Sequence, residues 1–169
     1  DPSISEVIAI EQNIRLVEYT GGAIHFTGVS TSEGVRLIRE AKKKGHNITA
    51  DVHIANLIYN EEAVLGFESD YKVMPPLRFE SDRIALWEGL KDNTINCIVS
   101  DHRPNNKEEK DIEFDLAEFG SINLQTSLGA LNIAPEFDLP IVINALTKEG
   151  RSILNLEQIH IAVGQPADL

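Results

Sequence analysis

The feature that most constrains the fold is an alternation of short apolar runs with helical patterns. Three such runs cover residues 23–29, 47–54 and 95–100, and turn residues flank them. Apolar runs of this length are typical of strands that are buried on both faces, whereas the segments around them carry apolar residues at helical spacing. Strands that alternate with helices form parallel sheets, so the sequence predicts an α/β fold.

Helical patterns fill the segments between these runs. The predicted helices cover residues 2–21, 30–44, 81–90, 119–131 and 139–154. The stretch from Ser30 to Glu33 matches a capping box at the start of the second helix. Two prolines within residues 71–78 exclude a helix or a central strand there. We further expect a mobile surface loop over 107–115 and a last strand over 159–163.

The composition restricts the classes of function. The 169 residues carry 15 basic against 27 acidic side chains, and this net charge of −12 argues against a nucleic-acid partner. No apolar run in the sequence reaches the roughly 20 residues needed to span a bilayer, so we expect no membrane partner. Cys97 is the only cysteine, so no internal disulfide can form and a cytoplasmic location is expected. We expect Cys97 to be a small buried apolar residue.

The carboxyl ends of the predicted strands are where a site is expected in a parallel α/β fold. In this chain those ends fall at residues 27–30, 52–54 and 100–102. Asp101 directly follows an apolar run, and a carboxylate there loses hydration energy unless it is paired, hydrogen-bonded or bound to a metal ion. The position favours either a functional carboxylate or an ordinary turn or cap residue, and both interpretations remain open.

Three histidines lie on or next to these strands. His25 and His53 would form a metal-binding cup with Asp101 if the three strand ends converge. The simpler interpretations are a hydrogen-bonded core histidine for His25 and a structural role for His53. His102 adjoins Asp101, and one metal ion rarely binds both because neighbouring strand residues point to opposite faces. The sequence contains no dinucleotide fingerprint and no CxxC or HExxH motif.

Three further segments form a pattern that is more specific than a generic α/β sequence. They are HFTGVST at residues 25–31, KVMPPLR at 72–78 and IVSDHRPN at 98–105. In this order and spacing they resemble signature stretches of dihydroorotases, the cyclic amidohydrolases of pyrimidine biosynthesis. Residues 118–120 resemble the family's Phe-Gly loop, and residues 164–169 resemble its return into a small β domain. The resemblance therefore extends across almost the whole chain.

The resemblance implies a metal-dependent (β/α)8 barrel of the TIM type. This chain would hold only the sixth, seventh and eighth strands with their helices. We therefore expect a partial barrel over residues 1–158 and the start of the composite β domain over 159–169. The family interconverts dihydroorotate and carbamoyl aspartate. In that reaction a divalent metal ion, usually zinc, activates the attacking water while a carboxylate shuttles its proton.

The resemblance also implies roles for single residues. Asp101 corresponds to the carboxylate at the end of the eighth strand, so it is the expected metal ligand and catalytic proton shuttle. Arg78, His102, Phe119 and Gly120 match family positions that bind substrate or brace the site.

Three site positions depart from the family pattern. Gly28 stands where the family has a metal-binding histidine, and a glycine has no side chain to bind a metal ion. Met74 replaces a substrate-contacting asparagine, and Asn105 replaces a substrate-contacting histidine. A missing polar partner in a closed site costs about 2–4 kcal/mol. Three such losses together argue against ordinary turnover.

The expected partners follow from the incomplete barrel. Three parallel strands cannot close a barrel, and we expect them to leave an apolar edge and unfilled interior layers. The chain should therefore associate with itself or with a missing amino-terminal barrel half. Its start at Asp1, without an initiator methionine, is expected for a proteolytic fragment of a longer protein.

Three functions remain open at this point. The leading hypothesis is the carboxy-terminal part of a dihydroorotase-like amidohydrolase that is inactive as an isolated segment. The alternative is a non-catalytic dihydroorotase homologue that acts as a structural partner, for example of aspartate transcarbamoylase. A third is an active amidohydrolase with a different cyclic amide substrate, whose single metal ion is held mainly by the missing half.

Overall fold

The computed structural model describes residues 2–158 and 160–164 and confirms the α/β class. The strands are β1 (Ala23–Phe26), β2 (Asn47–His53) and β3 (Cys97–Val99). The helices are α1 (Ser3–Thr20), α2 (Ser32–Lys43), α3 (Ile54–Ile58), α4 (Glu80–Lys91), α5 (Lys107–Lys110), α6 (Ser127–Leu131), α7 (Leu139–Leu146) and α8 (Lys148–Ile153). Two 3-10 turns lie between α3 and α4. No helix within the described ranges is long and apolar enough to cross a membrane.

The three strands form one parallel sheet in the order β1-β2-β3. His25 pairs with Thr49 in the register of β1 and β2, and Asp51 pairs with Cys97 in that of β2 and β3. Because the strands are parallel and adjacent in chain order, all three carboxyl ends lie at the same edge of the sheet. Among the described residues, β1 and β3 each keep one edge without a strand partner.

One face of the sheet packs against the helices. Apolar residues at alternate positions of β2, Ile48, Ala50 and Val52, are buried in this core. Trp87 of α4 is 1% exposed, and its indole Nε1 donates to the carbonyl of Leu57 at 2.9 Å. The core therefore lies between the sheet and α1, α2 and α4.

The opposite face of the sheet is polar. It carries His25, Thr49, Asp51 and His53, which alternate with the core-facing residues. The sequence predicts an apolar open edge, but the exposed residues of β1 are Ala23 and His25. Cys97 is buried, as predicted, and its sulfur is a free thiol.

The first strand ends earlier than predicted, and the next helix begins differently. Gly28 turns away from the sheet at φ +67°, and its N–H donates to the Asp51 carboxylate at 2.7 Å. Thr31 caps α2 by accepting from the Gly34 N–H, whereas Glu33 pairs with Arg36. The predicted hydroxyl cap is therefore confirmed, at Thr31, but the capping box is incomplete because Glu33 does not reach back to it.

The carboxylate of Glu6 takes the place of that capping box. It accepts hydrogen bonds from the backbone N–H and the hydroxyl of both Ser30 and Thr31. Glu6 lies on α1, so this contact joins the first helix to the loop that follows β1.

Several boundaries in the second half also differ from the predictions. The short helix α3 was not predicted, and the predicted 107–115 loop contains α5. Lys110 of α5 donates to the backbone carbonyls of Ser69, Glu118 and Gly120. Only Ser127–Leu131 of the predicted 119–131 helix is helical, because backbone N–H groups in its first half bond to His102.

The end of the chain also departs from expectation. The predicted 139–154 helix is broken at Thr147 into α7 and α8. The predicted last strand begins at Ile159, which lies outside the described residues, and residues 160–163 form no strand. Residues 165–169, in the predicted start of the β domain, also lie outside the described part, so that domain boundary stays a prediction.

A buried arginine joins three parts of this fold. Arg83 of α4 is 7% exposed, and its guanidinium binds both carboxylate oxygens of Glu136 at 2.8 Å. It also binds both oxygens of Glu80 and donates to the carbonyl of Leu57. This cluster fastens the start of α4 to the end of α3 and to the turn before α7.

We predict that this cluster makes stability depend on pH in the acid range. Hydrogen bonds from Arg83 are the largest cause of the lowered pKa of both Glu80 and Glu136. A carboxylate with a lowered folded-state pKa stabilises the fold above its unfolded pKa, about 4.3, and loses that contribution as the pH falls through the folded value. Urea unfolding at pH 7, 4 and 3 should show that the free energy of unfolding falls as the pH is lowered. In Arg83→Ala this fall should be smaller. An equal loss in both proteins would contradict the assignment.

Candidate active site

A cleft of about 600 Å³ opens at the carboxyl ends of the strands, where the sequence places the site. Its lining includes Gly28 after β1, His53 at the end of β2 and Asp101 after β3. Met74 and His102 also line it. Two predicted site residues, Asp101 and His102, thus share one cleft with Gly28 and Met74, which depart from the family pattern, and with His53.

Asp101 is the most buried carboxylate of this cleft, with 12% of its side chain exposed. Its Oδ1 lies 2.9 Å from Arg103 Nε, within ion-pair distance, and its Oδ2 lies 3.3 Å from His53 Nδ1. The backbone at Asp101 has φ +42°, a left-handed conformation that is uncommon for a residue with a side chain. Of the three kinds of compensation considered for this carboxylate, the described residues supply an ion pair with a guanidinium.

His53 lies beside Asp101 and faces Gly28. The separation of His53 Nδ1 from Asp101 is within ion-pair range, but no described group forms a well-aligned hydrogen bond with this nitrogen. Burial is the largest cause of the lowered pKa of His53, so its imidazole is neutral near pH 7. A Cβ built on Gly28 would lie 2.9 Å from His53 Nε2. The His53 ring therefore occupies the space beside Gly28 that a side chain would need.

His25 belongs to a different cluster. Its Nε2 lies 2.9 Å from the Asp51 carboxylate, and its Nδ1 lies 2.8 Å from the Thr49 hydroxyl. The ring is hydrogen-bonded, as the simpler interpretation predicts, although a third of the side chain is exposed. The cup of His25, His53 and Asp101 does not form, because only the last two meet.

The donor set of this cleft does not fit a zinc ion. Structural and catalytic zinc sites use three or four protein ligands. Within residues 2–158 and 160–164, no group of three His, Cys, Asp or Glu side chains could hold a metal ion. His53 and Asp101 provide only two donors, and Arg103 already binds one oxygen of Asp101. A metal ion at Asp101 would need further ligands from outside the described residues.

Arg78 is turned into the protein. Its Nε donates to the Ser30 hydroxyl at 3.1 Å, and its guanidinium lies 3.9 Å from the Glu6 carboxylate. Only 8% of its side chain is exposed. Its substrate-binding role stays a prediction, and that role would require the guanidinium to leave Ser30.

His102 is held in place by backbone N–H groups of the segment before α6. Its Nδ1 accepts from the backbone N–H groups of Asn123 and Leu124 at 3.2 and 3.3 Å. A neutral ring that accepts through Nδ1 carries its proton on Nε2. His102 therefore braces the 121–124 segment and also lines the Asp101 cleft.

Phe119 and Gly120 belong to a loop beside a second cleft, of about 530 Å³. Lys72 Nζ lies 4.9 Å from the centre of the Phe119 ring, and the Gly120 N–H donates to the Lys72 carbonyl. Asn105 donates to the Phe119 carbonyl at 3.2 Å, so it braces this loop. Arg103 lines both clefts.

Two contributors to this site were missed by sequence reasoning. Arg103 has a weak signal, because it stands two residues after Asp101 in a polar segment. Glu6 has none, because nothing in α1 indicates a contact with the loop after β1.

Comparison with known proteins identifies relatives of this chain. No protein-family model matches the chain. A dihydroorotase of Caldicellulosiruptor saccharolyticus is 40% identical over 99% of this chain and 40% of its own length. A dihydroorotase of Pelotomaculum thermopropionicum is 46% identical over 76% of this chain and 30% of its own length. The chain is a dihydroorotase-like segment.

Solved structures support the same fold for this dihydroorotase-like segment. An L-hydantoinase (dihydropyrimidinase) from Arthrobacter aurescens superposes with a TM-score of 0.87 at 24% identity, over 99% of this chain and 39% of the hydantoinase. A dihydropyrimidinase from Brevibacillus agri gives 0.84 at 23% identity, over 98% of this chain and 39% of that protein. The chain therefore spans about two fifths of the proteins it matches, consistent with a partial barrel.

Proposed function

We propose that this segment supplies the last three strand–helix units of a dihydroorotase-like cyclic amidohydrolase. The observation that carries the proposal is the placement of Asp101 at the carboxyl end of β3, in a cleft with His53 and His102. The proposed reaction adds water across the ring amide of dihydroorotate, so that the C–N bond breaks and carbamoyl aspartate forms. In it, Asp101 takes up the proton of the attacking water and returns it to the leaving nitrogen.

The segment is proposed to be inactive alone. β1 and β3 each leave an open edge among the described residues, and the cleft contains too few donors for a zinc ion. The remaining barrel strands, or a second copy of the chain, would cover these edges. Zinc and a cytoplasmic location are part of this proposal, with the further zinc ligands contributed by the rest of the barrel.

An activity assay tests this proposal. We expect no hydrolysis of dihydroorotate by the isolated segment with added zinc, and size-exclusion chromatography should show that the segment self-associates. The complete polypeptide that contains this segment should hydrolyse dihydroorotate under the same conditions. Turnover by the isolated segment, or none by the complete polypeptide, would contradict the proposal.

A non-catalytic homologue is the second candidate. Two observations favour it: Gly28 offers no ligand, and the oxygen Oδ1 of Asp101 is bound by Arg103. The function would then be structural, for example as a partner of aspartate transcarbamoylase. Co-purification with that enzyme, together with absent turnover by the complete polypeptide, would distinguish this candidate from the first.

A further inference from the structure

The cleft contains a cation that belongs to the chain itself. Arg103 comes from the loop after β3 and places its Nε 2.9 Å from Oδ1 of Asp101. Asp101 is 12% exposed, whereas 57% of the Arg103 side chain remains exposed. The positive group therefore approaches the carboxylate from the solvent side of the cleft.

A buried carboxylate at the end of a strand needs compensation for its lost hydration. A bound metal ion provides this in a metal-dependent hydrolase, and an ion pair with a nearby guanidinium is another source of compensation. Asp101 has the second kind of compensation. Its other oxygen faces His53, whose imidazole is the only other possible metal donor in direct contact with it among the described residues.

The two kinds of compensation compete at this carboxylate. A divalent ion bound to Asp101 Oδ1 would lie within a few ångströms of the guanidinium, and like charges at that distance repel strongly. Gly28 adds no side chain that could strengthen metal binding against this repulsion. Metal binding at Oδ1 would thus require Arg103 to leave, and binding at Oδ2 would be weakened by the nearby positive charge.

We propose that Arg103 is the resident cation of Asp101 and takes the place of a divalent metal ion at this carboxylate. The inference rests on the dihydroorotase-like placement of Asp101 in the proposed function. It deepens the non-catalytic candidate, because it names the group that keeps metal away from this residue, and it is incompatible with a zinc ion bound to Asp101 in the first candidate.

Zinc titration of the complete polypeptide by isothermal calorimetry tests this proposal. In the wild-type protein, Asp101→Asn should change the zinc affinity less than twofold, because Asp101 is not a ligand. Arg103→Ala should raise the affinity at least tenfold or create a new site, and Asp101→Asn in that background should abolish the gain. Arg103→Lys keeps a positive charge and should stay within threefold of wild type.

Arg36→Ala is the matched control, because Arg36 also pairs with carboxylates but lies on the exposed side of α2. It should leave zinc affinity unchanged. Arg103→Gln replaces the alanine variant if the latter unfolds. The proposal is overturned if Asp101→Asn lowers wild-type zinc affinity tenfold or more, or if removing the Arg103 charge gives no gain. Zinc affinity is measured separately from turnover. A complete polypeptide that is inactive but binds metal at Asp101 would therefore overturn this inference, while the placement of the segment in the amidohydrolase fold would stand.

Discussion

Replacing Arg83 with alanine is expected to lower the free energy of unfolding by about 3–5 kcal/mol. The guanidinium is 7% exposed and binds two carboxylates and the carbonyl of Leu57. Its removal leaves the largely buried carboxylate of Glu136 without the guanidinium that binds both of its oxygens, and this cost comes in addition to the lost packing. Urea unfolding at pH 7 measures the effect. We expect the slope of the unfolding free energy against urea concentration to stay unchanged.

Arg36→Ala provides the matched control for this prediction. Arg36 also binds two glutamates, Glu33 and Glu40, but 47% of its side chain is exposed. Ion pairs in solvent contribute about 0–1 kcal/mol, so this variant should remain close to wild type. Similar losses in the two variants would show that burial does not decide the strength of the Arg83 cluster.

Gly28→Ala is expected to destabilise the protein by about 3 kcal/mol. The left-handed backbone at φ +67° costs a residue with a side chain about 1–2 kcal/mol. The new methyl group would lie 2.9 Å from His53 Nε2 and 3.2 Å from Pro75 Cδ, and such overpacking adds about 1–3 kcal/mol. Thermal and urea unfolding of the variant measure the sum.

Gly21→Ala separates the two contributions. Gly21 has almost the same backbone angle, φ +66°, and nothing lies within 4 Å of the added methyl group. It should lose only the backbone part, about 1–2 kcal/mol. In a His53→Ala background, the cost of Gly28→Ala should approach that of Gly21→Ala, and an undiminished cost there would contradict the role given to the His53 ring.

The close approach of Gly28 and His53 also affects any attempt to restore the family's site residues. Restoring the family's histidine by Gly28→His, together with Met74→Asn and Asn105→His, is the direct route to a family-like site. A Cβ at position 28 would already lie 2.9 Å from His53 Nε2 as that ring now lies. We therefore expect a restored site to require movement or replacement of the His53 ring as well.

The sequence allowed prediction of the features that rest on local patterns. Alternating apolar runs located the three strands, because residues such as Ile48 and Val52 must be buried to contribute to the core. The position of Asp101 after such a run marked it as a carboxylate that needs a partner if it is buried, since an unpaired one would lose hydration energy, and the structure pairs it with Arg103.

The features that rest on distant contacts were not predictable in this way. Glu6 bonds to Ser30 and Thr31, which lie more than twenty residues away, and this contact displaced the expected capping box. Apolar spacing over 119–131 predicted a helix, but bonds from that segment to His102 hold its first half in another conformation. Tertiary contacts decided the backbone in both cases.

The polar face of the sheet, opposite the helices, affects how a larger barrel could assemble during synthesis. Partly folded proteins aggregate mainly through exposed apolar surface and unpaired strand edges. Here the apolar face of the three strands is already covered by their own helices, while the hydroxyl, imidazole and carboxylate of Thr49, His25 and Asp51 bond to one another on the other face. That face needs no apolar partner until other strands arrive, so the open edges of β1 and β3 remain the places where neighbouring copies would pair.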